Sequence, residues 1–203
     1  QKQTIGIIEN FKYPLSITNS KYFMWLGAHD IISKGYIEDA VNVLESTQTN
    51  VLVYPGGVTI DENGNLLNEI IDDYDTTGLN LEQRLLRIAK NFNNGYVIHG
   101  VLKTEVVKKI PFENVFGTDF LAVLLIAALG NIKRMPAIGF QRRLIRSETQ
   151  FEQRERHANA GMLKKTQINP FSLLAANLFK HIIKIKEISI TDRFFLIFKL
   201  KQI

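Results

Sequence analysis

Two side chains of ligand type, His29 and Asp30, stand where an apolar run stops, in Tyr22-Phe-Met-Trp-Leu-Gly-Ala-His-Asp30. Open α/β sheets place their chemistry at strand ends of this kind. The pair could hold a metal ion or donate to a phosphate. The plainer alternative is a loop His beside an Asp30 that caps the next helix. Asp119 opens a second apolar run, where a carboxylate at a helix start can act as a general base or simply cap. His99-Gly100 closes another run, and Gly there permits close approach to the backbone. Lys103, Arg142, Arg143 and Arg146 are cations that could meet charge developing on a leaving group, or form a solvated basic turn. Asp72-Asp73-Tyr74-Asp75 is acidic enough to attract a cation but reads as an exposed acidic loop.

Elements must hold these groups in place. Short β-rich or apolar runs predict strands over 4–8, 21–26, 50–54, 96–101 and 132–141, the third stopped by Pro55-Gly-Gly. Residues 10–20 read as a helix or loop. Apolar residues at helical spacing predict helices over 35–46 and 81–92. A short helix is expected over 104–109. Thr118 should cap a helix over 119–129 that is apolar all round, so it belongs in the core. Asp61-Glu-Asn-Gly64 reads as a tight turn. Strand and helix alternate, which predicts an α/β fold with a mainly parallel sheet. Residues 1–146 form that domain; 147–203 form a basic helical appendage.

The chain has 203 residues and no Cys, so neither a disulfide nor a thiolate metal site can form. It begins with Gln, shows no signal peptide, and is expected to be a fragment or a trimmed form. The net charge of +5 hides an asymmetry. Residues 1–130 carry ten Lys or Arg against fifteen Asp or Glu, whereas 131–203 carry fifteen against five. A basic tail suits an anionic partner or is a solvated face. Phe171, Leu174, Leu178, Ile182 and Ile185 recur at helical spacing among lysines, and Phe194 to Leu200 form an apolar block flanked by Arg193 and Lys201. Such segments can lie in an anionic membrane interface or pack on the domain. Their aromatics alternate with aliphatics, so nucleic acid is not the expected partner.

Four segments, in order, resemble the family 2 glycosyltransferases, inverting enzymes of the GT-A nucleotide-sugar fold. They are Lys21 to Asp30; Gly35 to Glu45 with Val51-Leu-Val-Tyr-Pro55; Tyr96-Val-Ile-His-Gly100 with Lys103; and Gly117-Thr-Asp119 with the apolar helix, Gly130, Pro136 and Arg142-Arg143. The resemblance covers 1–146 and implies a partial GT-A, Rossmann-like domain. It implies Asp119 as the base that takes the acceptor proton, with His29 and Asp30 beside the donor diphosphate. Arg142 and Arg143 would neutralise that diphosphate, and His99, Gly100 and Lys103 would line the acceptor side.

The resemblance also marks departures. The family's Asp-x-Asp-Asp metal motif stands here as Gly27-Ala28-His29-Asp30. A divalent metal, Mn or Mg, would have only His29 and Asp30 as protein ligands; such hard ions prefer oxygen donors. The strand-helix-strand nucleotide half that precedes the motif in the family has no counterpart. The implied function is sugar transfer from a nucleotide-sugar to a surface glycan or lipid-linked acceptor. The expected place is the cytoplasm, at the inner face of the membrane where the basic tail would sit. The alternatives are a non-catalytic GT-A remnant acting as a binding or assembly module, and a basic-tailed peripheral membrane adaptor.

Overall fold

The computed structural model describes residues 6–113, 117–144, 170–184 and 190–191. Its strands are β1 (Tyr22–Phe23), β2 (Ile31–Ile32), β3 (Asn50–Ile60), β4 (Leu66–Ile70), β5 (Val101–Lys103) and β6 (Asn131–Arg143). Its helices are α1 (Ile7–Ile17), α2 (Tyr36–Ser46), α3 (Leu81–Asn91), α4 (Thr104–Val107), α5 (Thr118–Leu129) and α6 (Pro170–Ile182). The sheet runs β1-β5-β3-β6-β2, with β4 also paired to β3.

The sheet is mixed, which corrects the expectation of a mainly parallel one. Only β3 and β6 run parallel. The β1–β5, β2–β6, β3–β4 and β3–β5 pairs are antiparallel. The connections explain this: β3 turns straight back into β4 through the Asp61–Gly64 turn, and a tight hairpin can only give antiparallel neighbours. The α3–α5 stretch, by contrast, leaves room for the crossover that a parallel β3–β6 pair needs.

β3 does not stop at Pro55. Its missing N–H falls where the register with β6 shifts, between Tyr54↔Arg134 and Gly56↔Ile138. Proline inside a sheet is tolerated at such bulges. Three β6 residues, Met135-Pro-Ala137, stand there against Pro55 alone, with Met135 packed on the core and Pro136 and Ala137 exposed. Gly139 then passes so close to Pro55 that a Cβ there would lie 2.8 Å from the proline ring. Two further expectations fail locally. Residues 7–17 are helical, where 4–8 was read as a strand, and Tyr96–His99 form a single 3₁₀ turn ahead of the short β5.

The core lies between the sheet and α5, whose residues Leu121 to Ala128 are all buried. A helix apolar on every side has no polar neighbour to close its last carbonyls. Arg84 of α3 does so, donating from Nε to Ala127 O at 2.7 Å and from Nη2 to Ala128 O at 3.3 Å. Burial pushes the Arg84 guanidinium pKa down. At the other end Gly117, in the left-handed region at φ 71°, is the N-cap, so Thr118 is the first helical residue and not the cap. Leu178 and Ile182 of α6 belong to the same core, and Leu174 packs on it beside Gly117. Lys180 and His181 fasten α6 to Glu113 at 3.1 and 3.0 Å. No helix among the described residues is long and apolar enough to cross a membrane.

Candidate functional site

The chain leaves β1, runs extended through Trp25, and folds into a turn closed by the Asp30 N–H donating to Gly27 O at 3.1 Å. Gly27 lets the Asp30 carboxylate fold back over the turn: a Cβ there would collide with that carboxylate and displace it. Trp25 anchors the approach from beneath. Its ring meets Phe23, Phe11 and Phe112, and its Nε1–H donates to Phe11 O at 3.1 Å. After the turn, β2 pairs with the end of β6 in the register Ile31↔Gln141. Antiparallel pairing therefore brings Arg142 and Arg143 alongside Asp30 and His29.

Arg143 locks the turn. Its main-chain N–H donates to Asp30 Oδ1 at 3.0 Å and its Nε to His29 O at 3.2 Å. Its Nη1 reaches Asp61 O and Glu62 O at 3.1 and 2.8 Å, tying the β3–β4 turn to the same point. Arg142 is exposed, as is the His29 ring.

His99 enters from the 3₁₀ turn. Its Nδ1 lies 3.0 Å from Trp25 O. A carbonyl only accepts, so Nδ1 carries the proton and Nε2 holds the lone pair. The ring stacks on Phe140, with planes 8° apart. Burial lowers the His99 pKa; the Trp25 carbonyl and the Asp30 charge oppose that shift, and Arg142 adds to it. His99 is thus neutral near pH 7 and within electrostatic reach of both Asp30 and Arg142.

Asp119 sits exposed in the first turn of α5, its Oδ1 accepting the Phe120 N–H at 2.9 Å. Its other oxygen lies against Gly95, where any Cβ would strike it. Gly95 begins the 3₁₀ turn that His99 ends. Four residues at about 2 Å of rise put roughly 8 Å between those two positions. The turn is a short bridge, with Asp119 against one end and the His99, Asp30 and arginine group around the other.

Two candidates fall elsewhere. Gly100 is buried against β3, and a Cβ would lie 2.6 Å from Val53 O. The close approach that this glycine permits is to a neighbouring strand. Lys103 faces Tyr22 across β1–β5 and donates to Gln48 O at 3.0 Å, away from His99 and next to α2. Arg146 lies outside the described residues. Among those residues no cluster of three or more His, Asp or Glu side chains could hold a metal. Asp30 Oδ2 and the His29 ring remain without a hydrogen-bond partner among the described residues, so the turn could offer a metal two ligands.

A polar network behind this site was missed in the sequence. Asp72, its side chain fully buried, accepts from Tyr54 and Tyr96 hydroxyls at 2.6 Å each and pairs with Arg134 at 3.5 Å. The Tyr74 hydroxyl donates to Asn93 Oδ1 at 2.7 Å and receives the Asn93 and Asn94 N–H groups. That fixes the loop carrying Gly95. Burial raises the pKa of Tyr54 and Tyr96, and the Asp72 charge adds to it. The sequence signal was three well-spaced tyrosines, a type that seldom goes into a core without a hydroxyl partner.

No protein-family description matches this sequence, and no curated protein matches it. Among solved structures, the chain is similar to the crystal structure of S. aureus TarS 1-349, with a TM-score of 0.59 and 10% sequence identity. The match covers 95% of this chain and 49% of that one, so the chain spans about half the length of that structure. The likeness shows that this chain shares the mixed α/β fold of that structure.

Proposed function

We propose that this chain is part of an inverting glycosyltransferase that moves a sugar from a nucleotide-sugar to a surface glycan or lipid-linked acceptor. The observation that carries the reading is Asp119: an exposed carboxylate with one oxygen uncommitted among the described residues, one short turn from a group of His99, Asp30, Arg142 and Arg143, on a glycosyltransferase-like fold. In the reaction Asp119 takes the proton of the acceptor hydroxyl. The hydroxyl oxygen bonds to the anomeric carbon as the bond from that carbon to the diphosphate oxygen breaks, and the nucleoside diphosphate leaves with the electron pair. Arg142, exposed beside His99, meets the leaving charge. Arg143 acts through the turn, holding His29 and Asp30 with bonds to His29 O and Asp30 Oδ1.

A divalent metal, if bound, would be held by His29 and Asp30 and would supply Lewis-acid neutralisation of the diphosphate. His99 presents a neutral acceptor nitrogen suited to a sugar hydroxyl. The apolar side of α6 is taken up by the core, so contact with the inner membrane face rests on the basic, Phe-rich 185–203.

Sugar transfer by the longest natural form of the protein tests the base. Asp119→Asn keeps shape and removes the proton acceptor, so the rate should fall about 10²- to 10⁴-fold. Unchanged transfer would remove Asp119 from the mechanism. Nucleotide-sugar titration with and without Mn²⁺ tests the metal; equal affinity would dismiss it.

A second reading, a binding or assembly module without catalysis, has one observation in its favour. The Asp30 and Arg143 polar groups already hold backbone turns together. It predicts saturable nucleotide-sugar or glycan binding with no turnover.

A further inference from the structure

At the far end of β1 and β5 from His99 lies a cavity of about 450 Å³. Tyr22 and Lys103 pair there, three residues back along the chain from Trp25, roughly 10 Å in extended backbone. The volume is in the range of small-molecule sites. Two of its lining side chains are more than nine-tenths buried, Lys103 at 8% exposure and Thr104 at 6%.

Both have unmet polar capacity. The Lys103 ammonium carries three N–H donors and donates to Gln48 O alone among the described residues. It makes no ion pair among those residues. The Glu45 carboxylate, which also lines the cavity, is held by Lys21, the first cause of its lowered pKa, and the Lys103 charge is a lesser cause. The Thr104 hydroxyl is buried with no hydrogen-bond partner among them. A buried ammonium with no direct salt bridge among the described residues, feeling Glu45 only through space, beside an orphaned hydroxyl is costly unless something supplies acceptor oxygens and negative charge. Lys108, on the rim, donates to Thr18 O at 2.7 Å and adds a second cation bonded to a carbonyl and not to a carboxylate. Glu105, also lining the cavity, is exposed at its edge.

We propose that this cavity binds the oxyanion group of a small phosphorylated molecule. Lys103 and Thr104 form its floor, and Lys108 stands at its mouth. The volume exceeds what a lone phosphate fills, so the occupant is a phosphate ester about the size of a monosaccharide. The site shares nothing with Asp119 or the His29 turn and stands whether or not the chain transfers sugar.

The test is an NMR titration of the ¹⁵N-labelled protein with glucose 6-phosphate, inorganic phosphate and glucose. Glucose 6-phosphate should shift the Lys103 and Thr104 amides saturably, and glucose should leave them unmoved. Lys103→Met, which keeps the stem and removes the charge, should weaken binding about tenfold or more. Inorganic phosphate moving the same amides more weakly supports the ester; moving them as strongly supports the oxyanion site with the free ion as occupant. Absence of saturable shifts with either anion would overturn the proposal. So would glucose matching the phosphates, or unchanged affinity in a folded Lys103→Met. If that variant fails to fold, Thr104→Val takes its place: the same weakening is expected, and unchanged affinity there would overturn the proposal as well.

Discussion

Asp72 and Asp119 stand at opposite limits of what a carboxylate can do in a fold. Asp72 is sealed from solvent, with a tyrosine hydroxyl on each oxygen and an arginine alongside. Asp119 is exposed, with one oxygen on its own helix and the other facing a glycine. A buried carboxylate with both oxygens hydrogen-bonded is a structural strut. One with spare capacity at a rim can take a proton. The contrast teaches that chemistry belongs where polar capacity is left over, which also singles out Lys103 and Thr104.

The largest effect that can break this contrast is loss of the strut. Asp72→Ala takes the carboxylate from two buried tyrosine hydroxyls and from the Arg134 guanidinium, leaving Tyr54 only the Tyr74 N–H and Tyr96 only the Pro55 carbonyl among the described residues. Removing one side of such a buried arrangement costs about 3–5 kcal/mol. Urea unfolding measures it. Asp119→Asn should cost under about 0.5 kcal/mol by the same measurement, as for surface changes generally. Equal losses would erase the distinction between the two carboxylates.

Two glycines sharpen the comparison at smaller scale. Gly100→Ala drives a methyl into the Val53 carbonyl and the Tyr54 Cβ, which cannot move without shifting β3. A loss of about 1–3 kcal/mol is expected. Gly95→Ala meets the Asp119 side chain, whose carboxylate can swing away while its Cβ, 3.2 Å from the added methyl, must give by a few tenths of an ångström. Its stability cost should be well below that of Gly100→Ala, while any sugar transfer that depends on Asp119 falls. A Gly95 variant with full transfer and an Asp119 variant without it would show that the carboxylate acts from another rotamer.

Much of the scaffold was legible. Helices α2 and α3 follow from apolar spacing, α5 from an apolar run bounded by Thr118 and Gly130, and the Asn63-Gly64 turn from its residue types. Strand direction was not, because alternation of helix and strand says nothing about a hairpin return from β3 to β4. Pro55 misled for a related reason. A proline ends a strand only if its N–H is needed, and the bulge in β6 removes that need. Asp72 read as part of an exposed acidic loop because its neighbours Asp73 and Asp75 do pair with surface-facing cations. Its tyrosine partners lie 18 and 24 residues away, a distance that short-range patterns cannot span. The gathering of His29, Asp30, His99 and the two arginines depended on the β2–β6 register, which no local signal fixes.

The smallest effect concerns His99, where the site and the scaffold meet. Burial holds its pKa below the ordinary value of 6.5, so the folded protein binds this proton less readily than the unfolded chain. Stability from this group is therefore complete above about pH 6.5 and is lost as pH falls toward the depressed folded value. His181 is shifted the same way, chiefly by burial and against the pull of Glu113, so the wild-type slope contains both. His99→Gln removes one contribution and leaves the other. Unfolding free energy followed from about pH 7 to pH 5 should fall less steeply in that variant than in the wild type. The same slope in both proteins would mean that His99 is protonated as easily in the fold as out of it. The neutral ring, with Nε2 open to a sugar hydroxyl, would then be wrong. A shallower slope would keep His99 neutral and leave the proton chemistry to the exposed carboxylate of Asp119.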